Sequence, residues 1–154
     1  MRKYCAMCRD SFSISRRDYK TIHNDFDIFC SHKCLMRFVL NGNKETIKTC
    51  RKPLCMYGQV GKRSSYEGIV EDYFGIYGIR SVYEPFAIRL NDGRRYTPDF
   101  YLPDCNMMIE VKGIWASKGK QKLSEVLDAI PKGSLVLIPS YIVKQMRKVC
   151  RKLR

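Results

Sequence analysis

Apolar residues in the second half of the chain recur first at helical and then at strand spacing. Across residues 64–78 they return every three or four positions, which predicts a helix with one buried face. Its apolar positions are Tyr66, Ile69, Val70, Tyr73, Phe74 and Tyr77. Residues 86–90 then alternate between apolar and polar side chains, and residues 91–93 are an Asn-Asp-Gly turn sequence. We therefore expect a first strand here that turns back into the strand holding Asp99.

The remaining residues predict two more strands and two more helices. Met107–Lys112 and Leu135–Ile138 are largely apolar runs suited to buried strands, and Ser117 and Ser140 are candidate caps of the helices that follow. The apolar stripes of these two helices are Leu123, Val126, Leu127 and Ile130 in the first, and Ile142, Met146, Val149 and Leu153 in the second. The order helix, three-stranded meander, helix, strand, helix predicts a small α/β domain.

Two carboxylates and a lysine interrupt the apolar pattern of the two neighbouring strands. Successive side chains of a strand alternate faces, so Glu110 and Lys112 share one face. A turn at residues 103–106 allows the two strands to pair as a hairpin, which brings Asp99 near Glu110. Two carboxylates can hold Mg²⁺ or Mn²⁺, which lowers the pKa of a bound water, and Lys112 adds a positive charge beside that water or a phosphate.

These residues resemble the PD-(D/E)xK nuclease superfamily, with Pro98-Asp99 as its first element and Glu110-Val111-Lys112 as its second. A longer stretch, residues 56–115, resembles the endonuclease I family of the T-odd phages, whose members resolve Holliday junctions. The similar blocks are Gly61 to Glu67, Tyr96 to Leu102 and Glu110 to Trp115.

The resemblance implies a restriction-endonuclease-like core and four catalytic residues. These are Glu67, Asp99, Glu110 and Lys112, with the three carboxylates as Mg²⁺ ligands. It further implies an intertwined homodimer, in which the partner chain can supply the glutamate. The chain departs from that family by its additional amino-terminal cysteines and a different carboxy-terminal region.

The same residues also have plainer interpretations. Ser64 and Glu67 fit the Ser-x-x-Glu pattern of a helix capping box, which can coexist with a catalytic role. Asp99 and Glu110 could be exposed strand residues, and Lys112 an ordinary surface lysine. We interpret Asp92 and Asp104, which lie in turn sequences, as structural.

Four cysteines in two close pairs mark the amino-terminal third of the chain: Cys5, Cys8, Cys30 and Cys34. This spacing predicts a structural Zn²⁺ site, and a helix starting at the second pair fits a treble-clef finger. Phe29-Cys30-Ser31 together with Cys34 resembles FCS and MYM-type zinc fingers, over residues 4–40. A disulfide pair or simple buried thiols are the alternatives, and His23 or His32 could replace one thiol.

The other four cysteines, Cys50, Cys55, Cys105 and Cys150, lack such spacing. We expect free thiols, with a second metal site at Cys50 and Cys55 as the less favoured interpretation.

The chain carries 29 Lys and Arg against 15 Asp and Glu, a net charge of +14 on 154 residues. Such an excess favours a polyanionic partner, and DNA is the economical one. The last predicted helix has a basic face, which in isolation could also be only a solvated face. Candidate contacts with the DNA backbone are Arg63, Arg94, Arg95, Lys118, Lys120, Lys122, Lys144, Arg147 and Lys148.

These signals predict three segments: a zinc finger at 1–42, a basic connector at 43–62 and a nuclease domain at 63–154. A finger of this size needs its metal to fold alone. No run approaches transmembrane length and the chain starts without an apolar signal segment, so we expect a cytoplasmic protein of a bacterial or phage-infected cell, neither secreted nor membrane-bound.

The leading hypothesis is a metal-dependent DNA endonuclease selective for four-way or branched DNA. One alternative keeps the chemistry and is a free-standing, site-specific homing-type endonuclease that cuts duplex DNA. The other is a non-catalytic, zinc-dependent nucleic-acid-binding protein on a nuclease scaffold. The substrate stays open because phosphate contacts fix position without reading bases.

Overall fold

The computed structural model describes residues 1–21, 27–41, 64–112, 117–131 and 133–153, with residues 17, 20, 21 and 117–122 described by their backbone alone. The helices are α1 Arg16–Thr21, α2 His32–Asn41, α3 Ser65–Ile76, α4 Ser117–Ala129 and α5 Ser140–Leu153. The strands are β1 Arg2–Tyr4, β2 Ser11–Ser13, β3 Val82–Tyr83, β4 Ile88–Arg89, β5 Arg95–Tyr96, β6 Phe100–Leu102, β7 Met107–Lys112 and β8 Leu135–Pro139. The mixed α/β class predicted from the sequence is confirmed.

The amino-terminal part is a short hairpin followed by a helix. Strand β1 pairs antiparallel with β2, Lys3 opposite Phe12, and the first cysteine pair follows β1 directly. Helix α2 begins beside the second cysteine pair, as predicted, and buries Leu35, Met36 and Val39.

Helix α3 begins and ends where its sequence predicts. Ser64 is its N-cap, and Gly78 follows its end at φ +64°, a conformation that glycine adopts readily. The helix buries Val70, Tyr73 and Phe74. The prediction that Tyr77 belongs to the buried face of this helix is wrong, because Tyr77, at the C-cap, is 51% exposed.

The main sheet has the strand order β3-β6-β7-β8. Strands β6 and β7 form the predicted antiparallel hairpin, with Phe100 opposite Ile109, and β8 runs parallel to β7. The strand predicted within residues 86–90 is present as β4 and turns back at residues 91–93, but it pairs with β5 in a separate hairpin, and β3 takes its expected place beside β6. Pro98 explains the break between β5 and β6, because proline has no N–H to continue the ladder.

Helices cover both faces of this sheet. Phe100, Ile109 and Val111 share a buried cluster with residues of α3 and α5. On the other face, Met108 and Leu137 join residues of α4, and Tyr96 belongs to this second cluster. Strand β7 is therefore buried on both faces, which places Glu110 in the interior of the molecule.

Helix α5 is amphipathic, but its buried face differs from the predicted one. Ile142, Val143, Met146 and Cys150 are buried, whereas Leu153 is 60% exposed at the free end of the helix. Val149, also assigned to this face, is half-buried. Cys105 and Cys150 are buried and are not disulfide-bonded within the described residues, as expected, while Cys50 and Cys55 lie outside the described residues.

The cysteine-rich part and the α/β part share one hydrophobic core. Phe29, Leu35 and Val39 belong to the same buried cluster as Phe74 and Met146. The predicted segment boundaries stay predictions, and the predicted connector at 43–62 lies outside the described residues. No helix in the described ranges has the length and apolar character that crossing a membrane requires.

Candidate active site

The hairpin of β6 and β7 brings the two predicted strand carboxylates together. Asp99 directly precedes β6, and its Oδ2 accepts a hydrogen bond of 2.6 Å from the backbone N–H of Val111. Glu110 lies in β7 with only 3% of its surface exposed. Glu110 is therefore not the exposed strand residue that the plainer interpretation allowed.

Both carboxylate oxygens of Glu110 are bound by protein donors. Lys112 Nζ forms an ion pair with Oε1, on the face the two residues share by strand alternation. The hydroxyl of Tyr96 donates to Oε2 at 2.5 Å. A buried charge is tolerable only when it is paired and hydrogen-bonded, and these two donors meet that condition.

Asp99 is poised between its charged and neutral forms. Burial and the negative charge of Glu110 raise its pKa to about 7, against the opposing effects of the Val111 N–H and of Lys112. In the part of the chain that the structure describes, no donor binds its second oxygen, Oδ1. A half-buried carboxylate with one unoccupied oxygen and a raised pKa is suited to receive a cation or a proton.

Lys112 is a cation rather than a base. Burial lowers the pKa of its ammonium, but the charge of Glu110 and the hydrogen bond to it outweigh burial and raise the pKa above its ordinary value. Its side chain is 31% exposed, so a charged substrate can approach it. An ammonium group in this position can stabilise a neighbouring negative charge or donate a proton.

Glu67 is engaged in the capping box that its spacing allowed. The Ser64 hydroxyl donates to Oε1 at 2.6 Å, the Ser64 N–H donates to Oε2 at 3.1 Å, and the Glu67 N–H donates back to Ser64 Oγ at 3.3 Å. The Tyr83 hydroxyl also donates to Oε2, at 2.8 Å. Burial raises the pKa of Glu67, but these hydrogen bonds outweigh it, so the pKa lies below its ordinary value. Glu67 is held as a carboxylate and couples electrostatically to Lys112.

The donor set fits a divalent cation in part. Asp99 and Glu110 supply hard oxygen ligands at the same edge of one hairpin, and their charges oppose each other, which a cation would relieve. Among the described residues, however, Glu67, Asp99 and Glu110 do not form a group of three ligand atoms within 4.8 Å of one another. Glu67 is near enough to influence the pKa of Asp99, yet it is held by Ser64 and Tyr83.

A second candidate site lies in the cysteine-rich part. The sulfur atoms of Cys5, Cys8, Cys30 and Cys34 lie within 4.8 Å of one another, so this cluster could hold a metal ion. Cys30 Sγ is 3.8 Å from Cys8 Sγ and 3.6 Å from Cys34 Sγ. Zn–S bonds of about 2.3 Å in a tetrahedron place sulfurs roughly 3.8 Å apart, so the spacing fits zinc. The cysteines are free rather than disulfide-bonded.

The thiol cluster is electrostatically uneven, as expected of thiols crowded together. Burial raises the pKa of Cys5, but hydrogen bonds with the backbone of Cys8, Cys30 and Met7 outweigh it and lower the pKa to about 7. Burial and the neighbouring Cys34 raise the pKa of Cys30. His32 is not part of the cluster, since its Nδ1 lies 3.3 Å from Oε1 of Gln145, and His23 lies outside the described residues.

The predicted DNA-contacting residues are only partly described. Arg95, Lys144 and Lys148 are exposed, and Arg147 is half-buried. Arg94 forms ion pairs with Asp92 and Glu125, so part of its charge is already neutralised within the protein. Arg63 lies outside the described residues, and the side chains of Lys118, Lys120 and Lys122 lie outside them as well.

Two turn carboxylates are structural, as interpreted from the sequence. The carboxylate of Asp92 accepts a hydrogen bond of 2.9 Å from the backbone N–H of Arg94 in the Asn-Asp-Gly turn. Asp104, in the turn between β6 and β7, forms an ion pair with Arg80, which lies between α3 and β3.

Two tyrosines at the site were not predicted from the sequence. Tyr83 and Tyr96 each donate to a glutamate of the predicted catalytic set, and both lie on two-residue strands before β6. The only available signal was the position of Tyr96, three residues before Asp99 in the block shared with the resembled family.

Comparison of the chain with protein-family models, with curated proteins and with solved structures finds no match. The function is therefore inferred from the sequence, including the resemblance of its motifs, and from the geometry of the side chains.

Proposed function

We propose that this protein is a metal-dependent DNA endonuclease with a restriction-endonuclease-like core. The observation that carries the proposal is the buried Glu110, ion-paired to Lys112, beside an Asp99 that keeps one oxygen unoccupied by described donors. Two neighbouring carboxylates and a cation, with the pKa of one carboxylate raised by burial and by the charge of the other, are common at catalytic sites. The net charge of +14 favours a nucleic acid as the partner.

Asp99 and Glu110 would hold Mg²⁺ or Mn²⁺. When bound, such an ion lowers the pKa of a water and offsets the negative charge that develops on the phosphate. Lys112, kept cationic by Glu110, stabilises charge on the phosphate oxygens or protonates a leaving oxygen. Glu67 would be the third metal ligand. It would either approach Asp99 and Glu110 once its contacts with Ser64 and Tyr83 rearrange, or act from the partner chain of a homodimer.

The preferred substrate in this proposal is a four-way or branched DNA. The support is the resemblance to junction-resolving endonucleases, together with an exposed basic face on α5 at Lys144 and Lys148. In the cysteine-rich part, we propose that the metal is Zn²⁺ with a structural role, because four thiolates complete a closed tetrahedral site and leave no position for chemistry.

The non-catalytic nucleic-acid-binding protein remains the second candidate because of two specific observations. Both oxygens of Glu110 are occupied by protein donors, and the three carboxylates do not converge in the described part of the chain. A site that never opens would bind DNA without cutting it.

The test is a cleavage assay with Mg²⁺ on a four-way junction, a linear duplex of the same sequence and a single strand. We expect Glu110→Gln and Lys112→Ala to lower the cleavage rate at least about 100-fold while salt-sensitive DNA binding remains, because they remove a ligand and a charge that act on the reacting phosphate. The matched controls are Asp128→Asn, an exposed carboxylate on α4, and Lys33→Ala, an exposed lysine on α2, which should cut like wild type.

The pattern of cleavage separates the candidates. Junction-selective cutting supports the resolvase, whereas cutting of the linear duplex at one sequence supports the homing-type nuclease. Tight binding without cutting by the wild-type protein supports the binding protein. Variants that cut as fast as wild type would contradict the site assignment.

A further inference from the structure

The buried hydroxyl of Tyr96 is placed against one oxygen of Glu110. The side chain of Tyr96 is 4% exposed, and its oxygen lies 2.5 Å from Glu110 Oε2. Lys112 takes the other oxygen, Oε1, so the two donors fix the rotation of the carboxylate group from two sides.

Packing determines where this hydroxyl lies. Tyr96 belongs to the buried cluster between the sheet and α4, with Met108, Leu135 and Leu137 as strand neighbours. Its backbone is held in the β4–β5 hairpin, opposite Ile88. Little conformational freedom is left to the ring, so the hydrogen bond is preorganised rather than formed when a ligand arrives.

The Tyr96 hydroxyl is the donor in this hydrogen bond, because a carboxylate oxygen only accepts. It binds Oε2, the oxygen that Lys112 does not contact, so the two side chains together hold the carboxylate in one orientation.

We propose that Tyr96 is a positioning residue for a divalent cation at Glu110, acting by orienting the carboxylate through Oε2. The inference rests on the proposed function, since it assigns Glu110 as a metal ligand. Donors that bind the ligating groups of a metal are typically worth about 10- to 100-fold in metal affinity or activity.

The test is Tyr96→Phe, which keeps the buried ring and removes the hydroxyl alone. The matched control is Tyr101→Phe, in the adjacent strand β6, whose hydroxyl donates to Asn106 Oδ1 at 2.7 Å away from the glutamate. Direct Mn²⁺ binding is measured by calorimetry on zinc-loaded protein, together with the Mg²⁺ concentration that gives half-maximal cleavage.

We expect Tyr96→Phe to weaken Mn²⁺ binding by roughly tenfold or more and to raise the half-maximal Mg²⁺ concentration similarly, with cleavage recovering at high Mg²⁺. Tyr101→Phe should change neither. In a Glu110→Gln background, Tyr96→Phe should have no further effect on Mn²⁺ binding, because the group through which it acts is gone. A purely structural role would lower the melting temperature without shifting the metal dependence.

A second measurement uses the unaltered protein and therefore does not depend on how the variant folds. With ¹³Cζ-labelled tyrosine, saturating Mg²⁺ should shift the signal of Tyr96 and leave that of Tyr101 in place. Two results would overturn this inference alone, provided that the wild-type protein binds Mn²⁺ and cuts DNA. One is that Tyr96→Phe has the same metal dependence as Tyr101→Phe. The other is that Mg²⁺ leaves the Tyr96 signal in place. A wild-type protein that neither binds Mn²⁺ at this site nor cuts overturns the proposed function as well.

Discussion

Asp99 is an acid whose surroundings oppose its ionisation. Burial and the adjacent Glu110 raise its pKa from 3.8 to about 7. Between these two values the folded chain holds a proton that the unfolded chain releases. The contribution of Asp99 to stability is therefore fully present below the unfolded pKa and is lost as the pH rises through the folded pKa.

Asp99→Asn should remove this pH dependence, because an amide does not ionise. We expect the unfolding free energy of wild type, relative to the variant, to fall as the pH rises from about 5 to about 8 in the absence of Mg²⁺. Urea unfolding at a series of pH values measures the difference.

Asp128→Asn is the control for this experiment, since Asp128 is exposed. Its stability difference from wild type should stay constant over the same pH range. Added Mg²⁺ should reverse the loss seen with wild type, because a bound cation offsets the repulsion between the two carboxylates, as protonation of Asp99 does at low pH. A constant difference between wild type and Asp99→Asn would contradict the raised pKa.

The sequence identified the carboxylates of this site but not the groups that hold them. Asp99 and Glu110 were predictable because a charged residue within a short apolar strand is conspicuous and strand alternation fixes its face. Tyr83 and Tyr96 were not, since the reach of a hydroxyl depends on where β3 and β5 lie beside the hairpin. Local pattern does not specify that arrangement.

At the scale of elements, the residues at the start of α3 contribute both to the stability of the helix and to the candidate site. Ser64 caps the helix and also binds the carboxylate of Glu67, while Tyr83 of β3 binds the same carboxylate from the sheet. One side chain therefore connects a helix terminus to a sheet edge. Loss of the cap should affect both the helix and the ionisation of the glutamate.

Ser64→Ala should lower the unfolding free energy by about 1 kcal/mol, the usual worth of a serine N-cap. It should also raise the pKa of Glu67, because the hydrogen bonds from Ser64 lower that pKa. Urea unfolding measures the first effect, and the ¹³Cδ shift of Glu67 against pH measures the second. Ser65→Ala, at the exposed first position of the helix, is the matched control and should change neither. An unchanged Glu67 pKa would show that Tyr83 alone holds the carboxylate.

The longer elements were predictable and the shortest ones were not. Strand β7 and helix α3 carry enough residues for their period to be read. Strands β3 and β4 have two residues each, so tertiary pairing decides which of them joins the sheet. The exposure of Leu153 was not predictable either, because helical spacing does not tell where along α5 the packing of its apolar face ends.

At the scale of the whole molecule, hydrogen bonds connect the segment around the cysteine cluster to α5, which packs on the main sheet. The Tyr141 hydroxyl donates to the backbone carbonyl of Phe29 at 2.6 Å. Gln145 accepts from the His32 N–H at 2.9 Å and donates to the carbonyl of Cys30 at 3.4 Å. These contacts join α5 to residues 29–32, beside the second cysteine pair, so a metal bound by the cysteines should stabilise more than its own segment.

If the four thiols hold Zn²⁺, as proposed, its removal should loosen the amino-terminal half of α5 as well as the predicted finger. Structural Zn²⁺ is worth about 10–16 kcal/mol of binding free energy in isolated fingers, comparable with the whole stability of a typical domain, about 5–15 kcal/mol. We expect Cys8→Ser to release Zn²⁺, lower the melting temperature and speed amide exchange at residues 1–41 and at Tyr141–Gln145. Zinc content and hydrogen exchange with peptide-level resolution measure these effects.

Cys105→Ala, a buried thiol outside the cluster, is the control and should retain the metal and the protection of α5. If faster exchange were confined to the finger, the two parts would be separate folding units despite their shared core; unchanged zinc content would contradict the four-thiol site itself.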